Sequence, residues 1–89
     1  MKEFKNKTLL ITGGTGSFGN AVIKKLINYD VGIIKIFSRD EKKQEDMRIL
    51  FKDKRLKFYI GDVRDTYSVD EVMQGVDYIF HAAALKQVP

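Results

Sequence analysis

Apolar and polar positions along this chain form blocks that predict strands and helices in alternation. Short β-branched and apolar runs, typical of strands in a buried sheet, lie at about 8–12, 33–37, 56–60 and 77–81. Between them, apolar side chains recur at helical spacing over about 17–28 and 41–52, and a shorter helix ends near Gly75. Strands that alternate with helices pair in parallel through right-handed crossovers. The pattern predicts an α/β fold on a parallel sheet of strand order 3-2-1-4, the first part of a doubly wound fold.

The same periodicity predicts which side chains face the core. Four apolar side chains are predicted on the inward face of the first helix: Phe18, Ala21, Val22 and Leu26. The inward stripe of the second helix is predicted to be Met47, Leu50 and Phe51. In the third strand, one face is predicted to carry Leu56, Phe58 and Ile60. Two helix starts have capping signals: Asp40 before the second helix, and the pair Ser68 and Glu71 in the third.

One glycine-rich stretch, TLLITGGTGSFG at 8–19, joins the first strand to the first helix. Glycines at 13 and 14 permit a sharp turn with positive φ, and Gly16 lets backbone amides approach an anion. This layout of a Rossmann fold places a pyrophosphate at the helix N-terminus. The predicted cofactor contacts here are Gly13, Thr15, Gly16, Ser17, Phe18 and Gly19. The alternative is a glycine-rich turn that binds nothing.

The loop after the second strand reads Ser38-Arg39-Asp40, and it bears on which dinucleotide binds. An acidic residue about 20 positions past the glycines is typical of NAD sites, whereas here that position is Arg39. A guanidinium can hold a 2′-phosphate with two charge-assisted hydrogen bonds, Ser38 can donate a third, and Lys43 adds positive charge. The loop therefore favours NADP over NAD. The alternative is that Arg39 only pairs with nearby acids.

Residues after the third and fourth strands are further candidates. Asp62 can accept from an adenine amino group while Val63 packs on the ring, although Asp62 can equally be a turn residue. The small side chains after the fourth strand leave room for the ribose and nicotinamide, or allow tight packing: Ala82, Ala83 and Ala84. Lys86 can reach a phosphate or a sugar, or remain in solvent. His81 is interpreted as structural, hydrogen-bonded to backbone.

Composition narrows the classes of function. The 89 residues are 44% hydrophobic and 31% charged, with net charge +4 and no cysteine, which fits one domain and excludes disulfides and thiolate metal sites. No apolar run approaches the length of a membrane span, and the first seven residues, MKEFKNK, are charged and lack the apolar region of a signal peptide. Basic and acidic residues are interleaved, most densely from 39 to 55, which disfavours nucleic-acid binding. We expect a cytoplasmic protein with no nucleic-acid or membrane partner and no metal.

Several segments together resemble the extended short-chain dehydrogenase/reductases. They are LLITGGTGSFGNAV, IFSRDEKKQEDMR, FYIGDVRD and DYIFHAAALKQVP. The second and the last are most similar to the bacterial polysaccharide-biosynthesis branch that contains UDP-N-acetylglucosamine 4,6-dehydratases, including the C5-inverting type, and related epimerases. The resemblance implies an NADP-dependent nucleotide-sugar dehydratase (a lyase) of capsule or surface polysaccharide biosynthesis, with a UDP-sugar as substrate. A UDP-sugar 4-epimerase of the same family is the alternative, and a non-catalytic dinucleotide-binding sensor is another.

The resemblance also implies a catalytic Tyr-x-x-x-Lys pair and a homo-oligomer. In the implied dehydratase reaction, the cofactor accepts a hydride from C4 of the sugar, water leaves across C5 and C6, and the hydride returns to C6. None of the four tyrosines has a lysine four positions later. We therefore expect residues 1–89 to be the N-terminal portion of the dinucleotide-binding domain, inactive alone, with the catalytic residues beyond Pro89. A self-contained miniature α/β domain is the alternative.

Overall fold

The computed structural model describes residues 4–13 and 15–81. Four strands are present, β1 (Thr8–Thr12), β2 (Ile33–Ser38), β3 (Leu56–Ile60) and β4 (Tyr78–His81). Three helices alternate with them, α1 (Ser17–Leu26), α2 (Glu41–Phe51) and α3 (Thr66–Val72). All strand pairs are parallel, and their order is β3-β2-β1-β4. The predicted fold class and strand order are confirmed.

The sheet register brings the carboxyl ends of β1, β2 and β3 to one edge. Thr12 lies opposite Phe37, and Ser38 lies opposite Ile60. The turns that leave β1, β2 and β3 therefore open on the same edge, which is where ligands bind in open α/β sheets.

Apolar side chains bury both faces of the central strands. One cluster, which includes Leu9, Ile11, Ile34 and Ile36, contains residues from α1 and α2. A smaller cluster of Leu10, Phe37 and Val72 lies on the opposite face under α3. The buried strands β1 and β2 hold the turns at their carboxyl ends in fixed positions.

The structure corrects the predicted helix faces. On α1, Ala21 is exposed, and the buried positions are Gly19, Ile23 and Leu26. Ala21 lies two residues before Ile23, about 200° around the helix axis, so it points away from the core. The helix also ends at Leu26 rather than near Asn28.

Two of the three residues predicted on the inward stripe of α2, Met47 and Phe51, contact the core, and Leu50 does not. Met47 is 2% exposed, but Leu50 is 69% exposed, and Gln44 takes an inward position at 2%. Gln44, Met47 and Phe51 lie within about 60° of one another around a helix of 3.6 residues per turn, whereas Leu50 lies at the side of that stripe. On β3, the predicted inward residue Ile60 is 53% exposed.

One capping prediction is confirmed and one is wrong. Asp40 accepts a hydrogen bond from the amide of Lys43 at 3.0 Å and caps α2. The third helix instead begins at Thr66 behind Asp65, whose carboxylate accepts from the amide of Tyr67 at 3.1 Å. Ser68 is inside this helix, and its hydroxyl donates to Asp65 at 2.8 Å. The aspartate binds two donors, which explains why it, rather than Ser68, caps the helix.

Candidate functional site

The glycine turn after β1 leaves the sheet abruptly. The amide of Gly13 still donates to the carbonyl of Phe37 at 2.8 Å, so the backbone remains hydrogen-bonded to β2 up to that residue. Gly13 then has φ of +68°, a conformation that glycine adopts at little cost. The turn predicted at Gly13 is confirmed, and Gly14 lies outside the described residues.

The first turn of α1 begins immediately after this loop. Gly16 is the N-cap residue, with an extended backbone at φ −81° and ψ −176°. Among the described residues, no side chain caps this helix end, and its first turn contains no acidic residue. Amides and the positive end of the helix dipole are therefore available to an anion.

The side chain of Asn20 hydrogen-bonds to the glycine loop, a contact that the sequence analysis did not predict. Its side-chain amide donates to the carbonyl of Thr15 at 3.2 Å and to that of Gly16 at 3.0 Å. Both acceptors lie in the loop, and the donor is in the second turn of α1. The two contacts tie the loop carbonyls to α1.

An open cavity of about 650 Å³ lies between this loop and the start of α2. Six predicted cofactor residues line it: Gly13, Thr15, Gly16, Ser38, Arg39 and Lys43. Asp40 and Glu41 also line it, but the carboxylate of Asp40 is occupied by its helix cap. The structure thus brings together the glycine loop and the cationic side chains that the sequence analysis singled out.

A second cavity of about 580 Å³ continues across the carboxyl edge of the sheet. Its lining includes the predicted residues Gly13, Ser38, Arg39, Asp62 and Val63. Thr12, Arg64 and His81 complete its polar lining and were not predicted as site residues. Arg39 and Ser38 border both cavities and therefore lie at their junction.

Asp62 faces two guanidinium groups. Arg64 donates to it from Nε and Nη2, the latter at 2.8 Å, and from its backbone amide at 2.9 Å. Arg39 lies at 3.6 Å with a side chain that is 71% exposed. The two non-cofactor interpretations given above are thus seen in part. Asp62 forms a turn with Arg64, and Arg39 pairs loosely with an acidic residue.

The hydrogen bonds from the side chain and the amide of Arg64 lower the pKa of Asp62 to about 2, and the charge of Arg39 adds to the effect. A carboxyl whose pKa is lower in the folded protein stabilises the fold above its unfolded pKa, near 3.8. This contribution is lost as the pH falls toward 2.

We expect the stability advantage of the wild type over Asp62→Asn to be constant above pH 5 and to shrink as the pH falls from about 4 to about 2. Urea unfolding of both proteins across this range measures it. A difference that does not change with pH would show that the carboxylate charge contributes nothing here.

His81 bonds to a side chain rather than to backbone, which corrects its predicted partner. Its Nδ1 lies 2.8 Å from the hydroxyl of Thr12, at the paired ends of β4 and β1. The side chain is exposed and lines the second cavity. The hydroxyl links the two strand ends at the edge where the cavities open.

The remaining predicted residues divide into two groups. Ser17, Phe18 and Gly19 form the first turn of α1, and they do not line either cavity. Ala82, Ala83, Ala84 and Lys86 lie outside the described residues. Within 4–13 and 15–81, no cluster of three metal-ligating side chains occurs, and no helix is long and apolar enough to span a membrane.

Comparison with known proteins gives a family and a fold. The model of a family described as "Polysaccharide biosynthesis protein" matches residues 9–89. The chain is 68% identical to a UDP-glucose 4-epimerase of Rickettsia canadensis and 67% identical to one of Rickettsia felis, covering 97% of this chain in each case. It spans about a quarter (26%) of the length of these curated relatives.

Solved structures agree with the fold. The X-ray structure of Pen from Bacillus thuringiensis is 38% identical, with a TM-score of 0.86 over 96% of this chain and 26% of that one. The Bordetella bronchiseptica enzyme WbmF, solved in complex with NAD+ and UDP, is 16% identical, with a TM-score of 0.71 over 91% of this chain and 24% of its own. The second likeness concerns the fold alone.

Proposed function

This chain belongs to the family of polysaccharide biosynthesis proteins, and from that premise we propose that it is the NADP-binding portion of an enzyme that modifies a UDP-linked sugar. One observation carries the proposal: the uncapped glycine loop, Ser38, Arg39 and Lys43 line one cavity at the carboxyl edge of a parallel sheet. NADP needs this combination, because its pyrophosphate and its 2′-phosphate must be held at the same time.

The residues fit the cofactor in named roles. The amides after Gly16 would hold the pyrophosphate, and Arg39, with Lys43 and Ser38, would hold the 2′-phosphate of NADP. Asp62 and Val63 border the neighbouring cavity, where the adenine would lie. When bound, NADP+ would supply a hydride acceptor for the sugar.

NADP is proposed over NAD because of charge. The cavity has two cationic side chains, Arg39 and Lys43, and two acidic ones, of which Asp40 is occupied as a helix cap and Glu41 is in the first turn of α2. Asp62 lowers the net positive charge at the junction, but its oxygens are largely held by Arg64. A 2′-phosphate would give the exposed Arg39 guanidinium a stronger partner than the 3.6 Å contact it has now.

Two reactions begin with oxidation of the sugar at C4. The resemblance of the SRDE-K segment and of HAAALKQVP favours a 4,6-dehydratase acting on UDP-N-acetylglucosamine. The names of the curated relatives favour 4-epimerisation as the second candidate. The 89-residue portion would bind the cofactor in either case, and residues beyond it would decide between them.

Incubation of the full-length protein with UDP-N-acetylglucosamine, followed by NMR of the product, tests the proposal. A 4-keto-6-deoxy sugar is expected for the dehydratase, and a galacto-configured sugar for the epimerase. No change with this substrate or with UDP-glucose, in a protein that binds NADP+, would contradict both and support a dinucleotide-binding sensor. The homo-oligomer and the cytoplasmic location remain predictions.

A further inference from the structure

Gln44 is a buried polar residue beside the proposed cofactor site. It is in the first half of α2 and is 2% exposed. Its Nε2 donates to the hydroxyl oxygen of Ser38 at 3.0 Å and to the backbone carbonyl of Tyr59 at 2.8 Å. Burying an amide is costly without such partners, so these two contacts hold the side chain in place.

The Tyr59 carbonyl determines how the amide is oriented. A carbonyl oxygen can only accept, so the nitrogen of the Gln44 amide must face it. The second hydrogen on the same nitrogen then points at Ser38, whose hydroxyl oxygen must accept. The Ser38 hydroxyl has a single proton. Because the Gln44 nitrogen is a donor, that proton is donated to a group other than Gln44.

The surroundings of Ser38 indicate where this proton can go. Ser38 is 8% exposed, and it borders both cavities next to Arg39. A phosphate dianion accepts hydrogen bonds and donates none, whereas a ribose hydroxyl does both. A hydroxyl held as a donor therefore favours phosphate more than it favours a ribose hydroxyl.

We propose that Gln44 is a specificity-determining positioning residue, which orients the Ser38 hydroxyl as a donor to the 2′-phosphate of the bound dinucleotide. The proposal rests on the proposed NADP site. Gln44 itself touches no ligand; it acts through Ser38, so its effect must disappear when the hydroxyl is removed.

The test uses the full-length protein and two probes that differ only in the 2′-phosphate, adenosine 2′,5′-bisphosphate and adenosine 5′-monophosphate. Gln44→Glu presents an oxygen to Ser38 and draws its proton away from the site. We expect the preference for the bisphosphate, measured by calorimetry, to fall about tenfold in Gln44→Glu and to a similar extent in Ser38→Ala. The double variant should lose no more than Ser38→Ala alone.

Gln44→Met covers the case in which a buried carboxyl prevents folding. It removes the donor at similar volume and frees the Ser38 hydroxyl to rotate, so a loss of about threefold in preference is expected. Thermal unfolding of each variant shows whether the fold is retained. Equal weakening of both probes would mean that Gln44 acts only on structure, and would overturn the proposal.

The remaining outcomes separate this inference from the function on which it rests. A wild-type protein that prefers the bisphosphate, with unchanged preference in both Gln44 variants, overturns the inference alone. An effect of Gln44→Glu that persists in the Ser38→Ala background does the same. A wild-type protein that binds both probes equally overturns the NADP assignment and this inference together.

Discussion

Arg39→Ala is expected to raise the Kd of the full-length protein for NADP+ about 100-fold while changing the Kd for NAD+ less than about threefold. The Arg39 side chain is 71% exposed, and its contact with the Asp62 carboxylate is long, at 3.6 Å. The 2′-phosphate would therefore be its main partner. NAD+ lacks that phosphate and should lose little. Calorimetric titration with each dinucleotide gives both constants.

Arg48→Ala is the matched control. Arg48 is an exposed arginine of α2, stacked at 4.6 Å on the ring of Phe58, and it lines neither of the two cavities. Its removal should leave both dinucleotide constants unchanged. Equal losses of NADP+ and NAD+ in Arg39→Ala would mean that Arg39 does not recognise the phosphate.

Gly16→Asp is expected to weaken NADP+ and NAD+ together, by about 100-fold or more, without lowering the melting temperature. The backbone of Gly16 is extended, so any residue can adopt it, and aspartate is a better N-cap than glycine. The same carboxylate would occupy the amides that the pyrophosphate needs and would repel its charge. Titration with both dinucleotides and a thermal melt measure the two effects.

Gly16→Ser separates capping from charge. Serine can cap the helix but is neutral, so its loss of affinity should be smaller, about tenfold. Wild-type affinity in Gly16→Asp would show that the pyrophosphate does not bind at this helix end. Should Gly16→Asp fail to fold, unchanged affinity in Gly16→Ser would show the same.

The elements that the sequence predicted well are those in which local signals agree. The bounds of β1 and β3 coincide with the apolar runs at 8–12 and 56–60, because turn-forming residues follow both runs. Asp40 caps α2 as predicted, because its carboxylate accepts from the amide of Lys43 three residues later. The turn after β1 was predictable because Gly13 adopts a φ of +68°, which glycine does at little cost.

The failures come from tertiary contacts that periodicity does not encode. Gln44 is polar, yet it occupies the inward stripe of α2 because the Ser38 hydroxyl and the Tyr59 carbonyl satisfy its amide. Gln44 lies three residues before Met47, a spacing that places both on one helix face, but a polar glutamine is not expected on a buried face. Asn20 was missed for a different reason: its side-chain amide bonds locally, to the carbonyls four and five residues before it, and an asparagine in a helix does not by itself indicate that contact.

The most direct test of the account is a crystal structure of the full-length protein with NADP+. The account predicts that the pyrophosphate lies against the amides after Gly16 and that the 2′-phosphate lies within hydrogen-bond distance of Arg39 and Ser38. A dinucleotide bound away from this edge of the sheet, or a 2′-phosphate that neither side chain touches, would contradict it.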